Sequence, residues 1–504
     1  MVTRISGMAS GMDIDSMVKK LMTAERVPLD KMNQKRQLLD WKREGYRETS
    51  TKLVSFLQDK LQKLSLSASI NAQKAVVSGN NDALSATATS ASTGGVMDIT
   101  VTKLASASKA TSASWATPKD GSTLLSDMMT VPGSVKIGNA DITLDTGETI
   151  DSFVQKINSS QTAGVTAIYD KTSGLSLTNK ATGAAPVMID GVGITSSVST
   201  NVVAAAFKLT TTTGNAGKDA EITVNGLAIK KPSNTFTING VDLTLKAEGG
   251  ASTHIEVQKD TDALVANVQS FVDSYNDVLS TLNNKLSEER YTKYAPLSTE
   301  QRAGMKDDEI TLWNTKAKSG MLKNDSILSE AVSSMRTAMI QGVDIGRIGS
   351  DSKPKPLTIS ELGITTGTYE TKGKLILDKD ALRTAIEKDP NIVSTFFGTQ
   401  DPATKLTNNV SDKDGIIAKL KKIGNVSLQR MTDTAGTSKV STDLTSSFMA
   451  NSSIGDQLYS LDTRISDMTD RLNRIEYNYY KKFTAMETAI SRYNSSSSAL
   501  TGMS

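Results

Sequence analysis

The sequence predicts an α+β multidomain protein, helical at both ends and mostly β in the middle. Residues 13–66 carry apolar side chains at helical spacing, residues 78–261 carry short alternating runs broken by Asn-Gly pairs, and residues 454–500 carry a heptad repeat. At 504 residues the chain exceeds what one core usually serves, so about three domains are expected. The hydrophobic share, 38% with 5% aromatic, is low, and part of the stability is expected to come from neighbouring subunits.

A first helix is expected from Asp13, with Met17, Leu21 and Ala24 on one stripe, until Pro28 forces a kink or a fresh start. Helical periodicity continues over 29–66, most clearly at Leu53, Leu57, Leu61 and Leu64. In the middle, Asn225-Gly226 and Asn239-Gly240 lie between alternating runs, and both residue types tolerate the positive φ that a two-residue hairpin turn requires. A short amphipathic helix at 150–158 lies between strand-like 135–145 and 164–170. Residues 115–207 therefore read as a separate α+β insertion, with Ser/Thr/Ala-rich 106–114 and 210–217 as connectors.

Helical texture returns over 262–289. Ser298 and Gln301 have capping-box spacing, 307–319 places Ile310, Trp313 and Ala317 on one face, and a helix from Asp325 should bury Leu328, Ala331, Met335 and Met339. A hairpin over 368–378 should turn at Lys372-Gly373, after which Asp378 caps a helix ending before Pro390. Residues 427–453, rich in Ser and Thr, read as a mobile connection. Ile454, Leu458, Leu461, Ile465, Met468, Leu472, Ile475 and Tyr479 then alternate steps of 4 and 3, a coiled-coil seam. Tyr479 to Phe483 is a second consecutive 4, a stutter, before Met486, Ile490 and Tyr493 resume the pattern. A helix of that length spans about 60 Å, more than one globular core needs, and implies partner helices.

The chemistry-bearing residues are sparse. Zero cysteines exclude disulfides, thiolate metal sites and a cysteine nucleophile, and His254 is the sole histidine. Gly217-Lys218 is followed by Asp219 and has Thr212 where a phosphate loop needs its first glycine. A calcium loop around 412–415 would have Val410 first and Lys421 twelfth, so that stretch reads as a turn. Asp307, Asp308 and Glu309 fit a helix start, where the dipole favours acids. No catalytic constellation converges and no cofactor is expected. Lys and Arg (57) nearly balance Asp and Glu (54) without clustering, which disfavours nucleic acid. No apolar run approaches a membrane span, and Asp13, Asp15, Lys19 and Lys20 break any signal-peptide core. Met8, Met12, Met17 and Met22 with Gly7 and Gly11 form a packing pattern whose core is expected to be partly intermolecular.

Several stretches together resemble one family. These are ISGMASGMDIDSMVKKLMTAERVPL (5–29), AGKDAEITVNG (216–226), SNTFTINGVDLTL (233–245), SYNDVL (274–279) and KKFTAMETAISRYNSSSSAL (481–500). In this order they resemble the bacterial flagellar filament-capping family, also called flagellar hook-associated protein 2, over nearly the whole chain. INSSQTAGVTAIYDKTSGLSLT (157–178) resembles a motif shared among flagellar hook and filament-associated proteins.

The resemblance implies a coiled-coil leg domain from 1–40 and 461–504 and a helical body domain from 41–75 and 262–460. It also implies a β head domain from 76–114 and 208–261, and an inserted α+β head domain at 115–207. It implies a non-enzymatic cap: a homo-oligomeric ring at the filament tip, secreted and extracellular, that promotes insertion of exported flagellin and prevents its loss to the medium. Implied partners are flagellin, the hook-filament junction proteins, the flagellar type III export apparatus and a cytosolic export chaperone. The helix positions expected to make assembly or chaperone contacts are Met17, Leu21, Ile465, Met468, Leu472, Ile475, Tyr479, Phe483, Met486 and Ile490. A second reading makes the head a tip adhesin for mucin or host glycans, on Thr-rich loops that ordinary β structure explains equally well. A third, a filament subunit or junction protein, fits the opening SGMASGMDID less well.

Overall fold

A computed structural model of the chain describes residues 11–196, 200–350 and 352–501. The chain divides into two compact units, Met1–Ile70 with Thr261–Ser504, and Asn71–Asp260. Gly7 and Met8 of the methionine-glycine pattern lie outside the described residues.

The first unit opens with α1 (Ile14–Ser55), whose cap is Asp13: its Oδ1 accepts the Ser16 N–H at 3.0 Å. That bond stabilises the ionised carboxyl and holds it below its usual range. Of the two outcomes expected at Pro28, a fresh start does not occur: α1 continues through it as one helix. Ala24, whose carbonyl loses its helical donor, and Pro28 both face solvent, where water can satisfy the freed oxygen. Beyond Ser55 the helix widens into one π turn, Phe56–Lys60, before Leu61–Leu64. The stripe Leu53, Leu57, Leu61, Leu64 is buried throughout, as its spacing indicates.

The second unit begins with β1 (Gln73–Gly79), β2 (Leu84–Ala88) and β3 (Gly95–Lys103). β4 (Lys109–Ser112), β5 (Ser134–Ile137) and β6 (Ala140–Thr143) then lead into α2 (Ile150–Ser159). Next come β7 (Val165–Asp170), β8 (Gly174–Asn179), β9 (Met188–Ile189), β10 (Val192–Gly193) and β11 (Leu209–Thr210). The chain closes the unit with β12 (Ala220–Val224), β13 (Leu227–Lys231), β14 (Thr235–Ile238), β15 (Val241–Leu245) and β16 (Gly249–Lys259). A five-stranded sheet, β1-β16-β3-β12-β13, and a three-stranded sheet, β14-β15-β2, share one core that includes Ile99, Val101, Ile222, Val241 and Leu243.

Both Asn-Gly turns form as expected, joining β12 to β13 and β14 to β15 with positive φ at Asn225, Gly226, Asn239 and Gly240. His254 lies on β16, its Nδ1 2.8 Å from Asp98 Oδ1 on the neighbouring strand. The inserted part has its own core around Phe153, Phe207, Ile137 and Leu177, between sheets β10-β9-β5-β6 and β11-β4-β8-β7. That core takes in Ala110 and Leu209, a little beyond the expected limits 115–207. The stretch 106–114, expected to be a connector, therefore contributes a strand, because Ala110 is an apolar position with a sheet edge to join, and of 210–217 only Thr210 pairs, at the end of β11.

The chain returns to the first unit as α3 (Thr261–Ser287). A capping box at Ser298 and Gln301 opens the short helix Thr299–Ala303, and Asp307–Lys318 follows with Ala317 buried. α4 (Ser326–Gln341) is capped by Asp325, which also accepts the Tyr46 hydroxyl from α1, and it buries Leu328, Ala331, Met335 and Met339. Burial and the neighbouring carboxylate push the Tyr46 phenol far above its usual range. The hairpin is shorter than the sequence indicates: β17 (Ile364–Thr366) pairs with β18 (Leu375–Leu377), and the stretch expected as its first strand is partly a 3₁₀ turn, Tyr369–Thr371. Asp378 caps α5 (Lys379–Lys388) as expected.

Asp414, in the turn compared above with a calcium loop, is fully buried. It pairs with Lys422 at 2.6 Å and accepts the N–H groups of Asp401 and Ser411. α6 (Ile416–Ala435) follows, so the first third of the expected mobile connection is helix. Its Leu428 and Met431 are buried beside Ser427, and helical spacing of the few apolar residues outweighs the polar composition. The last described element is α7 (Ser453–Thr501).

Candidate functional site

α7 has 49 residues, which at 1.5 Å per residue is about 74 Å, longer than the sequence indicates. Its first turns bury Ile454, Leu458 and Leu461. Beyond them α7 runs antiparallel to α1. Arg36 pairs with Asp462 at 2.6 Å and Arg26 with Glu476 at 3.6 Å, so rising numbers on α1 meet falling numbers on α7. Tyr479 donates to Glu25 Oε1 at 3.2 Å. Desolvation, then that carboxylate, raise the Tyr479 phenol above its usual range.

The apolar contact between the two helices is small. Ile14, Val18, Met22 and Leu472 are buried together, with Met17, Leu29, Met468, Ile475, Tyr479, Tyr480 and Phe483 packed around them. On α7 the part of the expected seam that packs here is Met468, Leu472, Ile475, Tyr479 and Phe483, and Leu472, 4% exposed, is its most buried residue. On α1 the buried face is Ile14, Val18 and Met22, turned about 90° from the expected stripe of Met17, Leu21 and Ala24. Met17 therefore flanks the contact, and Leu21 is 42% exposed. Ile465, Met486 and Ile490 are half-buried outside this cluster, and Tyr493 is 76% exposed. The sequence points to these residues as one set. The structure brings together Met17, Met468, Leu472, Ile475, Tyr479 and Phe483, and leaves Leu21, Ile465, Met486 and Ile490 apart.

A further contact of this region lies outside the residues expected from the sequence. Residues 436–449 form a loop closed at its neck by Met449 N–H to Gly436 O at 2.8 Å. The Phe448 ring lies between the guanidinium groups of Arg43 and Arg47 on α1, each 4.2 Å from its centroid. Arg43 also donates to Ala435 O and Met449 O, both at 2.7 Å, and Arg47 to Ser446 O at 3.0 Å. The loop is pinned, contrary to the expectation of a mobile connection. Two arginines at i, i+4 and one phenylalanine in a Ser/Thr tract were the available signal.

Among the described residues no group of three or more His, Cys, Asp or Glu side chains is placed to hold a metal ion, and no helix is long and apolar enough to cross a membrane.

The architecture defines a class: a chain whose two ends pair as antiparallel helices and whose middle is an inserted β unit. The model of the flagellar hook-associated protein 2 C-terminus matches residues 217–495, that of its N-terminus matches 10–108, and the flagellin hook IN motif matches 129–181. The chain belongs to the flagellar hook-associated protein 2 family. Flagellar hook-associated protein 2 of Halalkalibacterium halodurans is 28% identical, with 99% of each chain covered. The Escherichia coli K12 protein of that name is 23% identical over 98% of this chain and 96% of its own. The crystal structure of the flagellar cap protein FliD D1-D2-D3 domains from Escherichia coli has the same fold. Its TM-score is 0.53 at 20% identity, over 83% of this chain and 99% of that one.

Proposed function

We propose that this protein is a flagellar filament cap, a non-enzymatic assembly factor that sits at the filament tip as a ring of copies and promotes insertion of exported flagellin. The observation that carries this is the match of both hook-associated protein 2 models, one at each end of a chain whose ends pair with each other. In this reading the α1–α7 pair is the leg that reaches into the filament, the remaining helices are the body, and Asn71–Asp260 is the head. The contact residues are those named from the sequence: Met17, Leu21, Ile465, Met468, Leu472, Ile475, Tyr479, Phe483, Met486 and Ile490. The half-buried ones keep apolar surface available for a further helix, from flagellin or another copy.

The same surface would be exposed in a lone chain before export, which supports escort by a cytosolic chaperone on α7 and exit through the flagellar type III apparatus. Chaperone binding that survives truncation after residue 453 would remove that part. No relative or solved structure named above is described as an adhesin, and the glycan-binding alternative has no support beyond its Thr-rich loops.

The test replaces Leu472, Ile475 and Phe483 with Asp in a strain lacking its own cap protein. Filaments should fail to grow while flagellin accumulates in the medium. Normal filaments would rule out the leg assignment.

A further inference from the structure

The α7 seam is self-similar. Ile454, Leu458, Leu461, Ile465, Met468 and Leu472 are each followed seven residues later by another apolar seam residue. A shift of α7 by one heptad, about 10 Å along its axis, therefore returns apolar side chains to most seam positions. The contact with Ile14, Val18 and Met22 is small, and its ion pairs are solvent-exposed and weakly selective. Something that does not repeat must choose among these registers.

We propose that the Arg43–Phe448–Arg47 clamp is a register stop that fixes the axial position of α7 on α1. This rests on the reading that the α1–α7 pair is the working leg, and adds what sets its length of reach. Phe448 is five residues before the start of α7 and is the only aromatic residue between 398 and 458. Its position between two guanidinium groups is reinforced on either side. Arg43 bridges the end of α6 to Met449, and Gly436 ends α6 in the left-handed conformation (φ +71°), with its N–H on Thr432 O at 2.7 Å. Thr432 Oγ1 and Ser50 Oγ donate to the carbonyls of Thr437 and Ser438 on the first limb, and Arg43 and Arg47 donate to those of Met449 and Ser446 on the second, so both limbs of the loop are fastened to helices. With Phe448 held, residues 449–452 are folded back by Ser452 N–H to Ala450 O at 2.9 Å and Gly455 N–H to Ser452 Oγ at 3.1 Å, so a one-heptad slide of α7 has to undo this turn. Arg43, Arg47 and Phe448 act as positioning residues.

Because the chain has no cysteine, introduced pairs report register without background. In the full-length purified protein, Arg26→Cys with Glu476→Cys reads the observed register. Thr469→Cys reads one heptad outward when paired with Arg26→Cys, and one heptad inward when paired with Arg36→Cys. In the observed register residue 469 lies between the two α1 positions, too far along the axis for disulfide geometry. With the clamp intact only the first pair should oxidise. Phe448→Ala should raise a slipped-pair product at least about tenfold, as expected for the loss of two cation–π contacts, while Phe448→Tyr, which keeps the ring, should not. Circular dichroism establishes that each variant is folded. A folded Phe448→Ala protein that still gives only the first disulfide overturns the proposal. Because the readout is made on isolated protein, it stands or falls separately from the capping activity.

Discussion

Tyr480 donates its phenolic hydroxyl to Asp15 Oδ1 across 2.9 Å, a hydrogen bond between residues 465 positions apart. It lies at the rim of an apolar cluster whose buried members are Ile14, Val18 and Met22 on α1 and Leu472 on α7. Tyr480→Phe should therefore cost only about 0.5–1.5 kcal/mol of pairing, whereas Leu472→Ala should cost about 2–5 kcal/mol. Amide hydrogen exchange over residues 14–29 should accelerate strongly in the second variant and slightly in the first, with the rest of the first unit unchanged.

The hairpin glycines separate two costs. Gly226 (φ +85°) has nothing within 4 Å of where a Cβ would stand, while a Cβ on Gly240 (φ +76°) would lie 2.6 Å from Ser92 N. Gly226→Ala should cost about 1–2 kcal/mol from backbone strain alone, and Gly240→Ala distinctly more, because the obstacle is backbone that cannot step aside. Thermal unfolding of the two variants, compared side by side, checks the order.

The Asp414–Lys422 pair is buried at both ends. Asp414→Ala leaves the Lys422 ammonium desolvated without its carboxylate and should destabilise the first unit by about 3–5 kcal/mol. Adding Lys422→Met should recover part of that loss, since the stranded charge is gone. Denaturant midpoints of the single and double variants measure both effects.

Lys103 and Lys230, which flank Glu221 on neighbouring strands, pull its carboxyl from 4.5 down to about 2. A depressed carboxyl pKa contributes stability above the unfolded value and loses it as the pH falls through the folded one. The β3–β12–β13 part of the sheet should therefore weaken between pH 4.5 and pH 2. Glu221→Gln should flatten the acid limb of the stability profile in that window; an unchanged slope would mean that the carboxylate gains nothing from the two lysines.

Local chemistry was the legible part of the sequence. Asp325 and Asp378 cap helices, Ser298 and Gln301 form their box, and Asn225-Gly226 and Asn239-Gly240 turn hairpins, because each depends on neighbours in the chain. The middle of the α7 seam, from Met468 to Phe483, was equally plain, since seven-residue spacing needs no knowledge of the partner. What tertiary context decides was hidden. Pro28 reads as a break until its exposed side is known, and the buried face of α1 is set by which residues meet α7, not by which stripe is most apolar. Lys109–Ser112 is polar enough to pass for a connector until a sheet edge is beside it. The clamp on Phe448 joins residues about 400 positions apart and leaves almost no local trace.

Electron microscopy of the purified protein bound to filament ends tests the central claim most directly, because it places the two units relative to the filament. A cap is expected in which the α1–α7 helices enter the filament lumen and Asn71–Asp260 lies outward. Density showing the β unit seated in the filament with both chain ends pointing away, or no binding to filament ends, would contradict it.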